Sequence, residues 1–168
     1  MMTKKTKKTE SEVLSLLQAR CSRAEYCTYD VYNYIHKFQL TEDAEKRIVQ
    51  KLVEQDYINE VRYAHAFVRD KFRFNRWGSN RIRQELLKRK INSNVIDDAL
   101  SYIDDEKTTE TLKQLIETKR RSLRGRNQHE IDAKLMRFAL ARGFSYEQIR
   151  KTELLLTSDL GEETNPDE

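Results

Sequence analysis

Residues 77–91, from Trp77 to Ile91, read WGSNRIRQELLKRKI. Ser79 or Asn80 can accept hydrogen bonds from the first free amides of a helix, so either can cap one here. Ile82, Leu86 and Leu87 follow at i, i+4 and i+5 and predict one apolar stripe. Arg81, Arg83, Lys88, Arg89 and Lys90 take much of the remaining surface, and Glu85 is the only acid in the stretch. A short helix with so many like charges gains little from neighbouring pairs. Its stripe must hold it, which leaves an outer face suited to a polyanion or an acidic protein groove.

The composition around this stretch points the same way. Of 168 residues, 38% are apolar and 36% charged, which predicts a thin core under a heavily charged surface. With four Gly and one Pro, the chain lacks the turn punctuation of sandwiches and barrels, so an all-α fold is expected. Net charge is only +4, but it is unevenly spread. From Val61 to Lys90 there are ten Lys/Arg against two acids, Asp70 and Glu85, whereas the last twelve residues carry five acids and no base. No apolar run reaches the roughly 18 residues of a membrane span. The opening MMTKKTKKTE has no apolar segment after it, so a secretory signal is not expected. Cys21 and Cys27 have no His at ligand spacing and read as reduced thiols of a cytoplasmic protein.

The helical pattern recurs along the chain. Val13, Leu14, Leu16, Leu17 and Cys21 form one apolar side after Ser11. A second helix from about Thr28 turns Val31, Ile35 and Phe38 inward, and Thr41 caps a third carrying Ala44, Ile48, Leu52 and Val53. Leu40, Ile91 and Phe144 occupy equivalent places, 51 and 53 residues apart. Five residues before each lie Ile35, Leu86 and Ala139; nine before lie Val31, Ile82 and Leu135. Twelve after lie Leu52, Ile103 and Leu156. Leu16-Leu17 and Phe67-Val68 both fall 24 before their anchors, and Leu115-Ile116 falls 29 before its own. The third helices have caps at Thr41, at Asn92 or Ser93, and at Ser145 with Gln148 completing a capping box. The fold expected is three tandem three-helix repeats, 11–57, 58–104 and 105–156, stacked into an elongated, curved rod. Residues 1–10 form a disordered basic tail in this reading and 157–168 a disordered acidic one.

No catalytic constellation emerges. His36, His65 and His129 sit in different repeats without a Ser, Cys or carboxylate pair beside them, and no phosphate loop or metal signature is present. Asp97-Asp98 and Asp104-Asp105-Glu106 fall at helix ends or in connectors. No cofactor or metal is expected. Two basic clusters are the informative feature. The first holds Arg69, Lys71, Arg73, Arg76, Arg81, Arg83, Lys88, Arg89 and Lys90, interleaved with Phe72, Phe74 and Trp77. The second holds Lys119, Arg120, Arg121, Arg124 and Arg126, then Lys134, Arg137 and Arg142. Arg outnumbers Lys, which suits phosphate and carboxylate recognition by a planar fork. Trp77 and Phe74 could stack on bases, though packing within the protein is the expectation for such rings.

NEVRYAHAFVRDK, then GSNRIRQELLKRKI, then VIDDAL, resembles the RecX family of bacterial recombination regulators. The carriers are Arg62-Tyr63-Ala64, Gly78, Arg81-Ile82 with Glu85-Leu86, and Val95-Ile96 with Ala99-Leu100. The likeness is strongest over 58–103, weaker over ALARGFSYEQI of the third repeat and faint in the first. Lys90 departs from it, since the family usually has Gly at that helix end. The resemblance implies a non-enzymatic protein that binds the recombinase RecA, lies in the groove of its filament on DNA, and inhibits its recombinase and ATPase activities. The partners expected are therefore that filament and single- or double-stranded DNA, with no membrane and a monomeric chain. The alternative is a general DNA-binding architectural module without a dedicated protein partner.

Overall fold

The computed structural model describes residues 8–123 and 127–152. Regular structure among the described residues is helical, with no strand. The helices are α1 (Glu10–Cys21), α2 (Thr28–Ile35), α3 (Glu42–Glu54), α4 (Glu60–Arg73), α5 (Ser79–Lys88), α6 (Ser93–Leu100), α7 (Asp105–Arg121), α8 (Gln128–Ala141) and α9 (Tyr146–Lys151). A 3-10 turn, His36–Phe38, extends α2.

Polar side chains start several of these helices, those at Thr41 and Ser145 as expected and those at Asn59 and Asp104 in addition. Thr41 Oγ1 accepts from the Ala44 amide, Asn59 Oδ1 from Arg62, and Asp104 Oδ1 from Lys107. Ser145 and Gln148 bond each other's backbone in a capping box. α1 starts one residue earlier than its apolar pattern, because Thr9 and Glu12 make a second such box. α5 differs from expectation. It begins at Ser79 itself, and the Asn80 amide donates to the Gly143 carbonyl at 3.1 Å, so a neighbouring turn supplies the acceptor.

The chain divides into two compact units, Met1–Phe67 with Leu86–Ala99, and Val68–Glu85 with Leu100–Glu168. In the first, Val13 and Leu17 of α1, Val31 and Ile35 of α2, and Ile48, Val49 and Leu52 of α3 share a core with Phe38 and Ile58. In the second, Leu112, Leu115 and Ile116 of α7 pack with Leu135 and Ala139 of α8, Phe144, and Ile149 of α9. Two expected stripe members among the described residues are exposed. Val53 is 48% exposed and Leu87 47%. Each residue advances a helix by about 100°, so a side chain five positions on lies about 140° round, past the buried edge. Val49, nearer the stripe, is buried instead.

A backbone feature repeats with the sequence. Gln39, Lys90 and Gly143, each directly before an anchor, have φ of 58°, 60° and 92°. The Ile91 amide reaches back to the Leu86 carbonyl at 3.2 Å, and Phe144 to Ala139 at 3.3 Å. These bonds close the preceding helix through a left-handed residue and drive the anchor into the core. Lys90, the departure from the family pattern, therefore keeps the turn that Gly would make. Lys90→Gly removes a strained Cβ and should raise stability by about 1 kcal/mol, read as a higher urea midpoint with unchanged slope.

Candidate functional site

The first basic cluster begins on the last turns of α4 and continues into α5, and part of it is spent on holding the second unit together. Residues 74–78 lie against the α8–α9 turn. The Gly78 amide donates to the Arg142 carbonyl at 2.8 Å. A Cβ on Gly78 would come within 2.4 Å of the Gly143 carbonyl carbon, and one on Gly143 within 2.4 Å of Arg81 Cβ. Only two glycines permit this approach. Arg142 Nη1 donates to the Asn75 carbonyl at 2.8 Å, and its guanidinium lies 5.2 Å from the Phe138 ring. Arg81 stacks on Trp77 at 4.0 Å and donates to the Ala141 carbonyl at 3.3 Å, placing a cation at the negative end of α8. Lys71 lies 5.2 Å from the other partner of that stack, the Trp77 ring. Trp77 is thus a half-buried wedge between cations.

Other members of the cluster are outward. Arg69 is exposed, with Asp70 3.8 Å from its Nε. Arg73 is exposed beside Phe74, which at 77% is the most exposed large apolar side chain among the described residues. Arg76 and Arg83 are half-buried and Lys88 exposed. In the second cluster, Arg121 and Arg137 are exposed and Lys134 half-buried. Arg120 Nη2 lies 3.5 Å from Asp132, and Lys119 lies 5.4 Å from the Phe138 ring. Arg124 and Arg126 fall outside the described residues. The histidines are not assembled: His36 contacts Glu45, His65 contacts Asp98, and His129 is exposed. No group of His, Cys, Asp and Glu suited to a metal ion occurs among the described residues, and no helix there is long and apolar enough to cross a membrane.

Arg89, expected at the binding face, belongs to a polar joint in the first unit. Its Nε lies 3.7 Å from Asp30 and its guanidinium 5.1 Å from the Phe67 ring. Asp30 also accepts from the Tyr63 hydroxyl at 3.0 Å. Arg62 bonds Glu25 at 2.6 Å and both the carboxylate and the carbonyl of Asp56 at 2.9 Å. Ala64 is wholly buried beside them. The Arg-Tyr-Ala run therefore fastens the start of α4 to the first three helices. Its partners Glu25, Asp30 and Asp56 share no periodicity with it, so pattern reading had nothing to find them by.

Burial pushes the Cys27 thiol up to about 11, and burial likewise raises the Tyr63 phenol, with Cys27 and Asp30 adding to it. Both groups hold their protons more tightly folded than unfolded; the Cys27 contribution is complete below pH 9 and is lost as pH rises toward about 11, whereas that of Tyr63 begins to be lost only above about pH 10. Urea midpoints measured through that range should fall, and Cys27→Ala should flatten the slope. A fall that Cys27→Ala leaves unaltered would remove the thiol from the effect.

Fold and surface together define a helical-repeat protein with several exposed arginines and a backbone-to-backbone glycine contact. Two family models match it, the second three-helix domain of RecX over residues 59–100 and the third over 105–152, together more than half of the chain. The chain belongs to the RecX family of regulatory proteins. It is similar to the regulatory protein RecX of Clostridium botulinum, strain Eklund 17B, at 34% identity over 111 residues, 65% of this chain and 51% of that one. The Clostridium perfringens strain 13 protein of the same name is 31% identical over 63% of this chain and 50% of its own. The chain spans about half the length of the curated relatives it matches. Two crystal structures share its fold at 24% identity: a regulatory protein RecX, with TM-score 0.78 over 86% of this chain and 71% of that one, and RecX from Lactobacillus salivarius, with 0.73 over 85% and 93%.

Proposed function

We propose that the chain binds the RecA recombinase filament on DNA and inhibits its recombinase and ATPase activities, restraining homologous recombination and the DNA-damage response. Its three repeats, 11–57, 58–104 and 105–156, would act in the cytoplasm as one monomer without catalysis. The observation that carries this reading is a division of labour among the arginines. Arg81, Arg89 and Arg142 hold the fold, whereas Arg73, Arg121 and Arg137 are solvent-facing cations, with Phe74 exposed beside Arg73. Exposed cations next to an exposed aromatic ring suit phosphates and unstacked bases, and equally an acidic groove.

The test is a variant with Arg73, Arg121 and Arg137 all changed to Ala. Helicity and urea midpoint should match the parent, since each side chain is exposed. Inhibition of recombinase ATP hydrolysis on single-stranded DNA should fall. Binding to bare and to recombinase-coated DNA at matched salt then assigns the contacts. Phosphate contacts lower the salt slope by about 0.7–0.9 per residue, whereas contacts to protein carboxylates weaken binding to coated DNA alone. A folded variant that inhibits as well as the parent removes these three residues from the mechanism. Equal affinity for bare and coated DNA favours the architectural DNA-binding reading.

A further inference from the structure

We propose that a pocket of about 480 Å³ on the first unit, between α2 and the turn after α5, binds a nucleoside phosphate. It is lined by Tyr29, Tyr32, Asn33, Glu60, Arg89 and Lys90, among others, and none of these belongs to the second unit. Its volume is in the range of small-ligand sites. Tyr29 and Tyr32 are three residues apart on α2, so their rings lie on one helical face. Tyr29 is partly exposed there. Such a wall offers a base a surface to stack on. Asn33 can donate and accept at a base edge, and the Glu60 carboxylate can accept from an exocyclic amino group.

The cationic side supplies the second observation. Arg89 is held against Asp30 and over Phe67, so its guanidinium is positioned before any ligand arrives. Lys90 has φ 60°, a conformation that favours Gly and that the equivalent Gly143 adopts without a side chain. Lys90 lines the pocket directly beside Arg89. Two adjacent cations and two aromatic rings lining one pocket match a phosphate attached to a planar base. A bare anion has no use for the tyrosines and is opposed by Glu60.

Two sources share this chemistry, a free nucleotide and one unit of a single strand. The full chain is titrated with dAMP, with a short oligo(dA), and with inorganic phosphate, following backbone amide shifts of Thr28–Asn33, Arg89 and Lys90. Tyr29→Ala and Lys90→Gly are studied beside the parent; the first side chain is partly exposed and the second change relieves strain, so both variants fold. Saturable shifts with dAMP, weakened about tenfold in each variant, establish a free-nucleotide pocket. Shifts with oligo(dA) alone, weakened in the same way, establish a strand subsite. Phosphate binding as tight as dAMP and indifferent to Tyr29→Ala overturns the proposal. So does the absence of shifts at these amides with all three probes at millimolar concentration.

Discussion

Gly78→Ala should lower stability by about 3–5 kcal/mol, the sum expected from overpacking and from loss of two backbone hydrogen bonds. The new methyl would meet the Gly143 carbonyl carbon and oxygen at 2.4 Å and the Phe144 amide nitrogen at 2.5 Å. All three are backbone atoms, so no side-chain rotation relieves the clash. The chain must separate residues 74–78 from the α8–α9 turn. That withdraws the Gly78 bond to Arg142 and the Asn80 bond to Gly143. Urea unfolding of Gly78→Ala beside Ser79→Ala makes the measurement specific, since Ser79 is not part of the contact. A Gly78→Ala midpoint equal to the parent's would mean that this close approach does not form.

Leu86→Ala should cost about 2–5 kcal/mol, because the side chain is wholly buried and its removal leaves a cavity. Leu87→Ala is the internal control. Both residues sit on α5 with the same helix propensity, but Leu87 is 47% exposed and should change stability by less than about 1 kcal/mol. The contrast isolates burial from helix formation, which neither change in composition alone can do. Equal losses at the two positions would mean that the helix is rotated from its described orientation.

The stripe at Ile82 and Leu86, the Ser145 capping box and the Thr41 cap were all legible in the sequence, because each depends on residues within one or two helical turns. Spacing also gave the recurrence of Leu40, Ile91 and Phe144. The left-handed residues before them were less visible, since Gln39 and Lys90 lack the glycine that marks such a turn. The candidate site was legible as charge and not as geometry. Arg73 and Arg89 look alike in the sequence, yet one faces solvent and the other lies between Asp30 and Phe67. The pocket beside Tyr29 and Tyr32 left no periodic trace.

The sequence by itself determined the helices and most of their inward faces, because capping and amphipathic periodicity are local and repeat at a fixed spacing. Tertiary structure decided which cations hold the protein together and which face solvent. Glu25 and Asp30 claim Arg62 and Arg89, and the end of α8 claims Arg81, across 37 to 60 residues of chain. A guanidinium's role depends on what surrounds it in space, and neighbours that distant in the chain carry no signal that spacing or composition can record.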